Sequence, residues 1–290
     1  MVDSSDMISH KQFENGFKYI EILNKYAHAK IALQGAHIFA CRFKDKPPLL
    51  WLSKKAFFEE GKAIRGGIPI CFPWFGKHTE DTTLPQHGFA RTQLWQCVEE
   101  KELADGSTFV RLKLSTNMFT LTQWKYKFKL YIEFVIGKTL NVSLHIHNID
   151  TKPFEVSTAL HTYFSVSDIN KTSVRGLEGC QYYDALETQY NEQTIPLVID
   201  KEVDRVYFSP NNVITLDDDR KKIVLSQSGS NSLVLWNPWK EKSKTMQDMT
   251  EDGYRTMLCL ETANAREDMR VIAAGETHTL RAKIMQEDST

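Results

Sequence analysis

From Phe128 to Ile136 every even-numbered residue is apolar, and Lys129 and Glu133 stand on the opposite face. After Gly137-Lys138 the alternation resumes as Leu140, Val142, Leu144 and Ile146, with Asn141, Ser143, His145 and His147 opposite. A repeat of two suits a strand, whose successive side chains point to opposite faces, and gives a helix no continuous stripe. The stretch predicts an antiparallel hairpin with one dry face and one wetter face. Strand-like segments recur at 19–23, 31–33, 38–43, 109–115, 154–160, 213–216, 223–226, 233–236, 257–260 and 277–284. Helical signals are confined to short stretches at 54–60 and 241–248. Many short strands without intervening long helices predict an all-β chain, a large antiparallel β-sandwich with few short helices. No Gly/Ser/Pro-rich linker, low-complexity tract or fixed-period repeat divides the sequence, so a single domain over 1–290 is expected, with loose ends near 1–15 and 286–290.

The charge balance narrows the function classes. Across 290 residues, 36 Lys and Arg face 37 Asp and Glu, for a net charge of −1. That balance argues against nucleic acid or an anionic membrane as partner, since their readers are usually basic. Local clusters can still hold a small anion. No apolar run approaches the length of a membrane helix, and the polar first ten residues lack the apolar core of a signal peptide. Cys41, Cys71, Cys97, Cys180 and Cys259 are scattered without a C-x-x-C pair. Such a set suits thiols of a reducing compartment rather than disulfides or a structural zinc. Asn141-Val-Ser143 and Asn170-Lys-Thr172 fit the glycosylation pattern but carry little weight without a secretory signal. A cytoplasmic, monomeric protein is expected.

Four segments break the alternation with chemically dense residues. Arg65-Gly66-Gly67-Ile68-Pro69 leads into Phe72-Pro73-Trp74-Phe75-Gly76. Its glycines can expose backbone N–H groups beside an arginine, or can form a plain turn packed on aromatics. It lacks the spacing of a phosphate-binding P-loop. Gln86-His87-Gly88-Phe89-Ala90-Arg91 carries an amide, an imidazole and a guanidinium, letters that a solvated loop would share. Arg65 and Arg91 together could fork onto one phosphate through charge-assisted bonds. In Ala159-Leu160-His161-Thr162-Tyr163, the histidine is either half-buried packing or a proton carrier near neutrality. Glu261 follows four apolar residues, where a carboxylate is costly unless it is hydrogen-bonded or functional. His145 and His147 share a strand face and could both reach one metal ion, but no third ligand is evident and an ordinary polar surface fits as well. Trp236-Asn237-Pro238-Trp239 could stack on a sugar ring or simply pack. No serine nucleophile elbow and no dinucleotide fingerprint occur.

Taken together, these segments resemble the aldose 1-epimerase, or galactose mutarotase-like, superfamily and in particular its glucose-6-phosphate 1-epimerase branch. The residues carrying the likeness are Arg65-Gly-Gly-Ile-Pro, Phe72-Pro-Trp-Phe-Gly, Gln86-His-Gly-Phe-Ala-Arg91 and Ala159-Leu-His-Thr-Tyr163. Glu202-Val-Asp-Arg-Val-Tyr207, Val234-Leu-Trp-Asn-Pro238 and Cys259-Leu-Glu-Thr-Ala-Asn264 complete it. They run in one order from about residue 20 to 285. Two positions depart from the usual pattern: Trp124 is followed by Lys125 where proline is frequent, and Val206 stands where isoleucine is common. The resemblance implies a shallow sugar cleft on a β-sandwich and anomer interconversion of a hexose 6-phosphate without cofactor or metal. It implies His161 and Glu261 as the catalytic pair. Arg65, Gln86, Arg91 and Asp204 would contact substrate, and His87 would help hold the sugar. Three rivals stay open: a mutarotase of unphosphorylated aldoses, a different isomerase built on the same fold, and a sugar-phosphate binding protein without turnover.

Overall fold

The computed structural model describes residues 7–288. The predicted hairpin forms as read, with Phe128–Ile136 and Leu140–Asn148 paired antiparallel so that Leu130 meets Ile146 and Ile132 meets Leu144. Every even residue of this hairpin from Phe128 to Ile146 is buried except Lys138 in the turn, and the odd residues other than the buried Gly137 are half-exposed. Thr108–Ser115 and Gln96–Glu102 extend this sheet on one side; Thr277–Asp288, Lys221–Ser228, Val213–Asp217, Ser173–Arg175 and Leu197–Val198 extend it on the other, giving nine strands.

Facing it is an eight-stranded sheet. Its main path runs Gln189–Glu192, Gln181–Asp184, Val203–Phe208, Ser232–Asn237, Met257–Asn264, Thr158–Leu160 and Ile70–Cys71. Tyr163–Ser165 also pairs with Met257–Asn264. Leu233, Leu235, Leu258 and Leu260 from this sheet join the hairpin's apolar face in one continuous core. A four-stranded sheet (Ile8–Gln12, Lys18–Leu23, Ala27–Ala32, His37–Phe43) and a two-stranded one complete the all-β sandwich. No described helix is long and apolar enough to cross a membrane. All five cysteines are free, and all but Cys97 are buried.

Two expectations need correction. The segment 54–60 is not a helix, because side chains from the four-stranded region take its backbone groups: Asn15 Nδ2 donates to Phe58 O (2.7 Å), and Gln34 accepts from Gly61 N (2.8 Å). The aromatic ring of Phe58 then packs on Phe13 and Phe39. The second helix spans Trp239–Thr245, not 241–248, since Met246 is already extended; Asp248 is thereby freed from the helix. Within the expected loose ends, Ile8–Gln12 pairs with Lys18–Leu23 and the last strand continues to Asp288, while residues 1–6 and 289–290 lie outside the described residues. One smaller difference matters for the site. The expected strand 154–160 splits at Ser157, whose hydroxyl accepts from Phe75 N (2.9 Å), so Phe154–Val156 and Thr158–Leu160 enter different sheets.

Candidate active site

Met257–Asn264 is buried along both faces, unlike the hairpin strands. Its core-facing residues include Leu258 and Leu260; the other face carries Cys259, Glu261 and Ala263. The cross-strand register builds two rows on that second face. One aligns Tyr183, Val206, Val234 and Glu261, and the next aligns Asp204, Trp236, Cys259 and Tyr163. His161 lies between Thr158–Leu160 and Tyr163–Ser165, its backbone N–H donating to Pro69 O (2.9 Å). That break in the strand brings its Nε2 to 3.3 Å from Glu261 Oε1.

Glu261 is 1% exposed, and neither carboxyl oxygen has a hydrogen-bond partner among the described residues; the same holds for His161 Nδ1. A buried carboxyl without partners is expensive, so its presence calls for a use. Burial raises the Glu261 carboxyl well above its ordinary range, with Asp204 adding to the effect and Arg91 opposing it. Burial lowers His161 well below its ordinary value, reinforced by Arg91 and Arg65. Three rings fix the imidazole: Tyr163 stacks on it at 4.9 Å, while His87 (5.5 Å) and Trp236 (6.1 Å) meet it edge-on.

Above the pair opens a cleft of ≈ 1430 Å³ whose wall includes Arg65, Gln86, His87, Arg91, His161, Asp204 and Glu261. All seven residues singled out in the sequence thus share one cavity. Trp236, Trp74 and Phe75 supply apolar wall beside them. His87 sits at a positive φ of 66°, and its Nδ1 accepts from Gly76 N (3.2 Å). Its neighbour Gly88 cannot carry a side chain, because a Cβ would lie 2.0 Å from Phe72 O. Burial, then Arg91, lowers the His87 imidazole too, so it meets a ligand uncharged. Burial raises the Asp204 carboxyl, partly offset by Lys242.

The two arginines are held differently. Arg65 donates from Nε to Asp248 Oδ2 (3.0 Å) and from Nη1 to the Tyr163 hydroxyl (2.9 Å). Burial alone would lower its guanidinium, but Tyr163 and Asp248 outweigh it and hold it firmly charged. Arg91 donates from Nη2 to Gln86 O (2.7 Å), and its buried Nε has no partner among the described residues. The Arg65-Gly66-Gly67 corner is no anion cradle at Gly67, whose N–H donates to Trp51 O (2.7 Å). The glycine serves close packing instead: a Cβ at Gly67 would lie 2.3 Å from Ile38 O.

Sequence reasoning missed Asp248 and the stacking role of Tyr163. Asp248 lies 183 residues from Arg65 in a polar stretch, with no local signal. Tyr163 stood inside a recognised segment, and its place two residues after a strand-end histidine was the available hint. On the opposite sheet, His145 Nε2 lies 3.3 Å from Glu133 Oε2, and His147 Nδ1 is hydrogen-bonded to the Thr277 hydroxyl (2.6 Å). The two imidazoles are thus engaged separately and do not share a ligand position.

Comparison with known proteins follows this geometry. Residues 18–284 match the family model described as aldose 1-epimerase. A curated relative from Escherichia coli K12, named "Putative glucose-6-phosphate 1-epimerase", is 37% identical over 258 residues, covering 86% of this chain and 84% of its own. The crystal structure titled as that of a "putative mutarotase" from Salmonella typhimurium superposes with a TM-score of 0.93 at 30% identity, covering 100% of this chain and 96% of the other. A galactose mutarotase-like protein from Lactobacillus casei, 19% identical and covering 93% of this chain and 100% of its own, shares the fold with a TM-score of 0.74. With the family pattern matched from the second strand of the four-stranded sheet into the last strand of the nine-stranded one, the chain belongs to the aldose 1-epimerase family of isomerases.

Proposed function

We propose that this protein interconverts the α and β anomers of hexose 6-phosphates, chiefly glucose 6-phosphate, with Glu261 as base and His161 as acid. The observation that carries the reading is the buried Glu261 carboxyl, without a hydrogen bond to a described residue, 3.3 Å from His161 in the wall of a cleft of ≈ 1430 Å³. Ring opening needs the C1 hydroxyl proton removed and the ring oxygen protonated. Before substrate binds, burial leaves the pair's one proton on Glu261, so it first passes to His161 across the 3.3 Å between them. Glu261 then takes the hydroxyl proton and His161 gives the second. The free aldehyde then turns about C1–C2 and closes on its other face as the two roles reverse. One proton shared by the pair is enough for a full cycle, and each positioned group contributes on the order of 10²–10⁴-fold.

Selectivity for the phosphate rests on Arg65 and Arg91. Arg65 Nη2 and Arg91 Nη1 make no hydrogen bond to a described residue, so two charged donors remain for an anion. Gln86, His87 and Asp204 line the same wall and would hold the sugar hydroxyls. The test is anomer-exchange NMR on glucose, glucose 6-phosphate, galactose 6-phosphate and mannose 6-phosphate. Arg65→Ala and Arg91→Ala should slow exchange of the phosphorylated sugars far more than that of glucose. An equal loss on both classes would leave a mutarotase of free aldoses, and ligand binding with no change in exchange rate would leave a mere binding protein.

A further inference from the structure

Cys259 sits one strand position below Glu261 on the same face, and the mutarotation chemistry gives it nothing to do. Its sulfur, one ring nitrogen of His161 and one carboxylate oxygen of Glu261 all lie within 4.8 Å of one another. Among the described residues, this is the one group of three or more such side chains arranged closely enough to hold a metal ion. Sulfur, imidazole nitrogen and carboxylate oxygen are the donor types zinc selects, with bonds of about 2.0–2.3 Å. Tetrahedral bonds of about 2.0 Å place two ligand atoms roughly 3.3 Å apart, and His161 Nε2 and Glu261 Oε1 already stand at 3.3 Å. The sulfur lies within 4.8 Å of a ring nitrogen of His161 and a carboxylate oxygen of Glu261. Both Glu261 oxygens are buried and without hydrogen-bond partners, so an ion would displace no existing bond from them.

The geometry points to an inhibitory zinc site formed by His161, Cys259 and Glu261, with its fourth position open to the cleft. Binding forms Zn–N, Zn–O and Zn–S bonds and releases the thiol proton, with the carboxyl proton where present, to solvent; no electrons are transferred. The ion enters past His161 and Glu261, which line the cleft, whereas Cys259 lies behind them. A bound ion occupies the lone pairs that proton transfer requires, so the metal-bound protein is inactive. That last step rests on the mutarotase reading above. The binding itself does not.

The test uses the full chain, freed of metal by a chelator, with Co²⁺ as spectroscopic probe and Zn²⁺ as competitor. Wild type should give a near-ultraviolet sulfur-to-cobalt band and tetrahedral visible bands, which Zn²⁺ abolishes. Cys259→Ser and Cys259→Ala, each checked for folding by thermal melting, should lose the sulfur band, and Glu261→Gln should weaken metal binding by about 10-fold or more. Anomer exchange by wild type should fall as Zn²⁺ is added and recover with chelator. In each folded Cys259 variant, the zinc concentration for half-inhibition, taken against that variant's own metal-free rate, should rise by about 10-fold or more. Absence of the sulfur band in wild type, or its persistence in a folded Cys259 variant, overturns the site. A wild-type band with no loss of exchange overturns the inhibition, and an absence of exchange without metal counts against the mutarotase reading instead.

Discussion

Leu140–Asn148 and Met257–Asn264 are both interior strands flanked by ladder partners on each side, yet they differ in what their second face meets. In Leu140–Asn148 burial alternates, so Asn141, Ser143, His145 and His147 lie on a half-exposed face, where the buried His145 Nε2 sits 3.3 Å from Glu133 Oε2. In Met257–Asn264 all eight residues are buried, and the second face looks into rings, thiols and the cleft floor. A polar residue on the first strand is ordinary. On the second it is tolerated only where a partner or a reaction justifies the desolvation. Glu261 has no hydrogen-bond partner among the described residues, and that difference supports the proposal that the eight-stranded sheet carries the reaction.

The sharpest way to break this contrast is a pair of variants. Glu261→Gln keeps the shape and removes the base, so anomer exchange should fall by on the order of 10²–10⁴-fold while thermal stability holds or rises, because a buried ionisable group is gone. Leu144→Ala, at a fully buried position of the other sheet, should do the reverse. It should cost about 2–5 kcal/mol in urea unfolding and leave exchange per folded molecule unchanged. If Glu261→Gln destabilised the fold while exchange persisted, the carboxyl would be structural and the contrast would collapse.

A second test asks how far the dry environment extends behind the cleft. His37, on the four-stranded sheet, is fully buried, and its Nε2 is hydrogen-bonded to Gly66 O (2.7 Å) under the Arg65 corner. Burial lowers its pKa from 6.5 to about 4, with Arg91 assisting and the Gly66 bond opposing. The folded value lies below the unfolded one, so the unfolded chain binds the proton more readily between them. The stabilisation is complete above pH 6.5 and is lost as pH falls toward 4, amounting to about 3 kcal/mol at the lower end. Urea unfolding across that window should show a slope that His37→Gln flattens. Parallel profiles for the two proteins would place His37 in contact with water.

The contrast also explains what was legible in the sequence. The hairpin could be read to the residue, since one wet face writes alternation directly into the letters. Gln189–Glu192 and Gln181–Asp184 could not, because the edge strand is largely exposed and the buried Asp184 is satisfied by Arg205 and by the backbone N–H groups of Leu186 and Glu187. The helix expected at 54–60 failed because Asn15 and Gln34, distant in sequence, supply its hydrogen bonds. The seven cleft residues were legible through family-like segments, not through periodicity. Asp248 had no such segment and enters only through the fold.

That residue gives the smallest and most discriminating prediction. Asp248 holds Arg65 Nε while Tyr163 takes Nη1, leaving Nη2 for the cleft. Asp248→Asn preserves size but weakens a hydrogen bond between charged groups, a change worth about 1.5–3 kcal/mol. If Arg65 serves the phosphate, the loss should appear as a raised KM for glucose 6-phosphate, of about 10- to 150-fold at those energies, with kcat little changed and exchange of free glucose nearly untouched. If Asp248 instead serves the catalytic pair through Tyr163, which stacks on His161, kcat should fall equally on both sugars. Asp248→Glu, which restores the charge, should recover KM in the first case. The split between KM and kcat therefore decides whether the half-buried Asp248–Arg65 pair belongs to substrate recognition or to proton transfer.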